Sequence, residues 1–229
     1  MLHSFLTHQI DYLTFITAFS ILIIGILFIS LSVEHKGRLP WKWSACFGLL
    51  QSIYYLLTLL SLGLQNSNTL QFVRMFIYVL SFLSLAEFAR LSVRIQTGFK
   101  PPPWLYAALF IPIVVSALFG INSIIIACYL SIALPVGSFA ALILWHERYS
   151  GIENPARKWL GLASVFFFLY TLTTAVIGPG SVVTLLLTVL PITLKDITSF
   201  ILHLALALTS FVLFIGLIQF FSSAHDSGQ

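Results

Sequence analysis

The sequence predicts an all-α, polytopic membrane protein: a seven-transmembrane-helix bundle with its N-terminus outside and its C-terminus cytoplasmic. Three observations carry this. Hydrophobic residues make up 59% of the 229 and charged residues only 8%. Mean hydropathy is +1.02, far above that of soluble domains. The few charges also gather in three short breaks between long apolar runs. Lys36, Arg38 and Lys42 lie in the first break, Arg90, Arg94 and Lys100 around the second, and Arg148, Arg157 and Lys158 in the third; these are nine of the eleven basic residues. Every second connection is therefore basic, the pattern that the positive-inside rule leaves in a multi-spanning chain. The net charge of +4 reports orientation, and no nucleic-acid partner is expected.

A bilayer core of about 30 Å needs roughly 20 apolar residues per helix. On that measure the spans fall near 9–32, 44–64, 70–93, 104–120, 122–145, 159–178 and 197–221. The runs are continuously apolar, without the out/in alternation of barrel strands. Residues 1–11 have no basic n-region, so no cleavable signal peptide is expected. Gly37 and Pro40 in the first connection and Pro101-Pro102-Pro103 in the third make short, stiff cytoplasmic turns. Gly120-Ile121-Asn122 joins the fourth and fifth spans in a tight external hairpin. Pro112 and Pro135 should kink those two spans. The apolar stretch 180–193 is too short to span and is expected at the outer surface as a re-entrant or interfacial piece. Trp41, Trp43, Trp104, Trp145 and Trp159 fall at helix ends beside the basic loops, as a one-sided interfacial belt. Cys46 and Cys128 read as buried small hydrophobes, with no disulfide or metal pattern. There is no linker or internal repeat, so residues 1–229 form a single seven-helix transmembrane domain.

Ionisable groups inside a bilayer are expensive and are the first place to look for function. The third span carries Arg74 about one turn from its outer end, at a depth of roughly 6 Å. Tyr78, Ser81 and Ser84 follow, and Glu87 lies near the inner end with Arg90 and Arg94. Glu87, Arg90 and Arg94 form either a structural ion pair or a signal relay. Arg74 either snorkels to the outer headgroups, pairs with Asp196, or turns inward to hold an anionic or carbonyl-bearing ligand. His203 sits about two turns into the last span, at a similar depth. Gln51, Ser52, Tyr54, Tyr55 and Thr58 form a polar stripe on the second span, where Gly48 and Ser52 suit close helix approach. With Tyr170, Thr171 and Thr174 on the sixth span, a candidate ligand site in the outer half comprises Arg74, Tyr78, Tyr55, Thr58, Tyr170, Thr174, Ser199 and His203. No histidine partner at matching depth suggests bis-histidine haem. Lys195 precedes the last span, so a retinal Schiff base is not expected. No catalytic residues, metal or cofactor are predicted, although the site leaves room for a small hydrophobic or anionic ligand.

The segment Phe72-Val73-Arg74, followed by Ser81-Phe82-Leu83-Ser84-Leu85-Ala86-Glu87-Phe88-Ala89-Arg90, resembles the seven-helix N-terminal membrane sensor domain of bacterial sensor histidine kinases and diguanylate cyclases. Phe47-Gly48-Leu49-Leu50, Tyr129-Leu130 with Pro135, and Leu190-Pro191-Ile192 fit the same pattern. The chain departs from it at Gln51-Ser52 and Tyr55-Leu56, where the family has His-Gly and Glu-Trp, and at Cys128, commonly Arg. The resemblance implies a sensory input domain in a bacterial inner membrane, of the kind used in two-component systems. It would detect a small molecule or a membrane state in its outer half and relay it through the last helix to a cytoplasmic effector. Residues 222–229 follow the last span and hold no effector, so a fused kinase or cyclase domain or a partner protein is expected. The chain itself is not expected to be an enzyme. Besides the lipid bilayer and that effector, the reading allows a homodimer. The rival readings are an accessory or scaffold subunit of a respiratory or photosynthetic complex, and a small transporter. Against the transporter, no interrupted helices recur at matching positions.

Overall fold

The computed structural model describes residues 2–34, 39–63, 68–102, 104–119, 121–147, 154–177 and 192–226. Every regular element among them is helical: α1 (Leu2–Glu34), α2 (Trp41–Gly63), α3 (Asn68–Thr97), α4 (Trp104–Ser116), α5 (Ile121–Cys128), α6 (Leu134–Glu147), α7 (Asn154–Ile177) and α8 (Ile192–Asp226). With no water to bond the backbone, a lipid-embedded chain satisfies its amides and carbonyls inside helices. Side-chain hydroxyls follow the same rule, as Thr14 and Thr17 donate to the carbonyls of Ile10 and Leu13 one turn back.

Among the described residues six helices are long and apolar enough to cross a membrane, and they make this an integral membrane protein. The fourth expected span, 104–120, is shorter: α4 has 13 residues and carries Pro112, followed by a 3-10 turn at Ala117–Phe119. The fifth, 122–145, is one rod interrupted by a π-helical turn at Tyr129–Ala133. Pro135 explains the interruption. It offers no amide proton and its ring crowds the carbonyl four residues back, that of Ser131, so the turn ahead of it widens.

The helices α1, α2, α3, α6, α7 and α8 close a ring in which each packs against the next and α8 returns to α1. Close approach is set by small residues. A Cβ on Gly48 would lie 2.7 Å from the Gly25 Cα of α1, and Ser52 donates to the Ala18 carbonyl of α1 at 3.0 Å. Gly137 of α6 likewise faces Thr171 of α7, and Gly216 of α8 faces Ala163 of α7. Gln96 near the end of α3 donates to Glu147 at the end of α6, at 2.8 Å. Both helices therefore finish at the same end of the ring. This basic end gathers Lys42, Arg90, Arg94, Lys100, Arg157 and Lys158. Gly98 closes α3 there with φ +70 and an amide bonded to the Arg94 carbonyl.

Two expectations change. Trp41 does not sit in a lipid-facing belt. It is 4% exposed and stacks on Phe28 at 5.6 Å, filling the basic end of the interior, whereas Trp104 and Trp145 do face outward. Cys46 is exposed and only Cys128 is buried, because Cys46 shares the outward stripe of α2 with Lys42, Ile53 and Leu60. Of the stretch 180–193, expected at the outer surface, residues 180–191 lie outside the described residues, as do Lys36 and Arg148, while Ile192 and Thr193 open α8.

Candidate functional site

The interior is filled by aromatic rings that reach across it. Phe47 of α2 meets Phe82 of α3 at 5.3 Å and Phe167 of α7 at 5.7 Å. Above this layer, Tyr54 packs on Tyr55 and Tyr78 at 5.1 and 5.2 Å. Helical spacing accounts for it. Arg74, Tyr78, Ser81 and Leu85 recur at intervals of three and four on α3, and all four are buried.

Within these rings lies a polar cluster drawn from three helices. Tyr170 of α7 donates to the Tyr55 hydroxyl at 3.4 Å, and Tyr55 lies 3.4 Å from the Thr174 hydroxyl. Gln51 sits between this group and α3, with Oε1 2.7 Å from Ser81 Oγ. Ser81 Oγ is also 2.7 Å from the Tyr78 carbonyl. One hydroxyl proton cannot serve both acceptors fully. Gln51 Nε2 meanwhile lies among the Tyr55 and Tyr170 hydroxyls with no acceptor in normal reach. Turning the amide by 180° lets Nε2 donate to Ser81, frees Ser81 for the Tyr78 carbonyl, and gives the tyrosine hydroxyls an acceptor in Oε1. The arrangement that satisfies the whole cluster is therefore the one with Nε2 toward Ser81 and Oε1 toward the tyrosine hydroxyls.

Arg74 is 6% exposed and donates from Nη1 to Ser61 Oγ at 2.7 Å; Ser61 in turn donates to the Thr58 carbonyl. It is turned into the bundle near the α2–α3 connection and does not snorkel outward. Thr58 bonds back to the Tyr54 carbonyl within its own helix. His203 of α8 bonds locally as well: Nδ1 lies 2.8 Å from the Ser199 carbonyl, which can only accept, so Nδ1 carries the proton. Of the expected group, then, Tyr55, Tyr170 and Thr174 meet directly, Tyr78 adjoins them through Tyr54, and Arg74 stands beside Ser61. Ser199 and His203 form a separate pair on α8, a helix that packs on α7 and α1. The side chain of Asp196 is outside the described residues.

At the basic end, Arg90 grips Glu87 with two bonds, Nε to Oε2 at 2.8 Å and Nη2 to Oε1 at 2.5 Å. Tyr106 of α4 donates to the same carboxylate. Arg94 is exposed beside them. The arrangement stitches α4, which has no buried residue among those described, to the ring.

Ser61, Tyr106 and the Gln96–Glu147 contact were not among the residues singled out from sequence. Ser61 and Tyr106 are ordinary polar residues in apolar runs, and the glutamine and glutamate are 51 positions apart. Only the fold joins them. No group suited to holding a metal ion occurs among the described residues. No known family, curated protein or solved structure matches the chain.

Proposed function

We propose that the chain is a seven-crossing sensor module, with its N-terminus outside, its basic end in the cytoplasm and no catalytic chemistry of its own. The observation that carries this reading is the buried cluster of Gln51, Tyr55, Ser81, Tyr170 and Thr174. Lipid-facing packing needs no such groups, and a bundle built only to span would be served by apolar residues there. The cluster ties α2, α3 and α7 together, so a change in the position of any one of these helices would strain or break its bonds. A ligand or membrane state that interacts differently with two positions of the helices would shift their populations. Helix α8, packed along α7, leads from that level to the basic end. The resemblance adds the destination, a cytoplasmic kinase or cyclase domain at a bacterial inner membrane.

In this reading the seventh crossing is α4. It is supported by α3 and α6 ending together, which calls for one return of the chain between them. The 16 residues of α4 and its 3-10 turn reach about 26 Å at rises of roughly 1.5 and 2.0 Å per residue, close to a hydrocarbon core of about 30 Å.

Spin labels at Lys42→Cys and Ser222→Cys, with Cys46 and Cys128 replaced by alanine, read the separation of α2 and α8 at the basic end. The sensor reading expects the distance distribution to change when the cluster is altered by Gln51→Leu. One narrow distribution, identical in the unaltered and altered chains, would instead favour an accessory or scaffold subunit.

A further inference from the structure

On the outer wall of the ring, α4 stands away from α3 and α6 and leaves a furrow of ≈ 430 Å³, within the usual range of small-ligand sites. Ala86, Ala89 and Val93 of α3 form its floor, with Leu105 and Leu109 of α4 on one side and Phe139 of α6 on the other. The furrow exists because α3 presents two alanines here and α4 is held off by Tyr106 and Glu87 instead of packing flush. Pro135 and the π turn before it bend the opposite wall. Leu105 and Phe139 are 43% and 45% exposed, so the furrow opens sideways to the surroundings. Phe99 and Pro101 close it at the basic end.

We propose that this furrow holds one anionic phospholipid of the leaflet at the basic end. One acyl chain lies along the alanines, and the phosphate rests on Arg94 and Lys100 at the mouth, with Arg90 behind them. An acyl chain fits because the walls, Arg90 at the mouth apart, are apolar side chains with no hydrogen-bond partner for the backbone of an extended peptide. The sign of the headgroup follows from the mouth. Arg90 is the one charged residue of the lining, Arg94 stands one turn above it on the same face, and Lys100 lies between Phe99 and Pro101. Glu87 offsets one of these three cations, and the nearby Glu147 keeps its charge although Gln96 donates to it, so the mouth stays positive by about one charge. Arg90 gives Glu87 only two of its five N–H donors. The site is independent of the sensor reading and requires only that the chain lies in a bilayer.

Reconstituting the full chain in phosphatidylcholine vesicles with a trace of phosphatidylglycerol carrying a mid-chain diazirine, then mapping the photoadducts, tests the proposal. A parallel sample carries phosphatidylcholine with the same diazirine chain. Adducts are expected at residues 86–93 and 105–109, with phosphatidylglycerol ahead by of order tenfold, since each basic group at a membrane surface contributes about a factor of five. Arg94→Gln with Lys100→Gln should remove that preference; both residues are exposed, so folding is not at stake. Val93→Phe should reduce labelling by both lipids. Equal labelling by the two lipids in the unaltered chain would overturn the proposal. So would adducts spread evenly over the lipid-facing helices, or a preference that survives the double substitution.

Discussion

Among single residues, Gln51 has the most to answer for. It is wholly buried, on α2, and its amide stands between the Tyr55–Tyr170 hydroxyls and Ser81 of α3. Interhelical hydrogen bonds in membranes average about 0.6 kcal/mol and reach about 1.7 kcal/mol, less than the vacuum strength because the unfolded chain also finds partners. Ser81→Ala should therefore lower stability by about 0.6–1.7 kcal/mol in reversible unfolding from mixed micelles. Combining it with Gln51→Leu should add less than the sum of the two, because replacing both partners removes the stranded group. Additive effects would mean that the two side chains do not share a bond. Arg74 argues differently. Its position on the third span was plain from sequence, but its partner Ser61 was not, because that contact spans a turn of chain and depends on how α2 and α3 enter the bilayer.

Among the helices, approach distance is decided by glycine and held by a few cross-links. Gly48 is the clearest case. Its missing Cβ leaves room for Gly25, and a methyl group would strike backbone, which cannot rotate away. Gly48→Ala should cost about 1–3 kcal/mol by forcing α1 from α2, measured by thermal unfolding in detergent. An unchanged midpoint would mean that the two helices are not in contact there. For α4 the controlling contact is Tyr106 to Glu87. Tyr106→Phe should speed amide exchange in α4 while leaving α3 and α6 protected, since α4 has little buried surface of its own. Equal protection in both chains would place the anchoring of α4 elsewhere. Hydrophobic runs made these helices legible, and Pro135 announced the break in the fifth span. What length alone did not reveal was that the fourth run, cut by Pro112 and ended by a 3-10 turn, forms a helix of only 13 residues. Its proline removes a backbone bond that an uninterrupted apolar run would have kept.

For the whole molecule, sequence disclosed the helical class, the membrane setting and the end where the basic residues gather. Charge spacing and hydropathy are one-dimensional signals and survive folding unchanged. The order of helices around the ring, and the meeting of α3 and α6 at Gln96 and Glu147, are three-dimensional and had no counterpart in the pattern. They matter most for topology, because they make α4 the element on which the number of crossings turns. Leu118 and Phe119, at the far end of α4, are 83% and 76% exposed, and Lys100 stands exposed before its start. The most direct measurement is labelling of Leu118→Cys and Lys100→Cys in intact cells by a membrane-impermeant maleimide, with Cys46 and Cys128 replaced by alanine. Seven crossings with the basic end inside predict that Leu118→Cys is labelled from outside and that Lys100→Cys is labelled only after the membrane is opened. Both positions reacting only after the membrane is opened, or Lys100→Cys reacting in intact cells, would contradict the account.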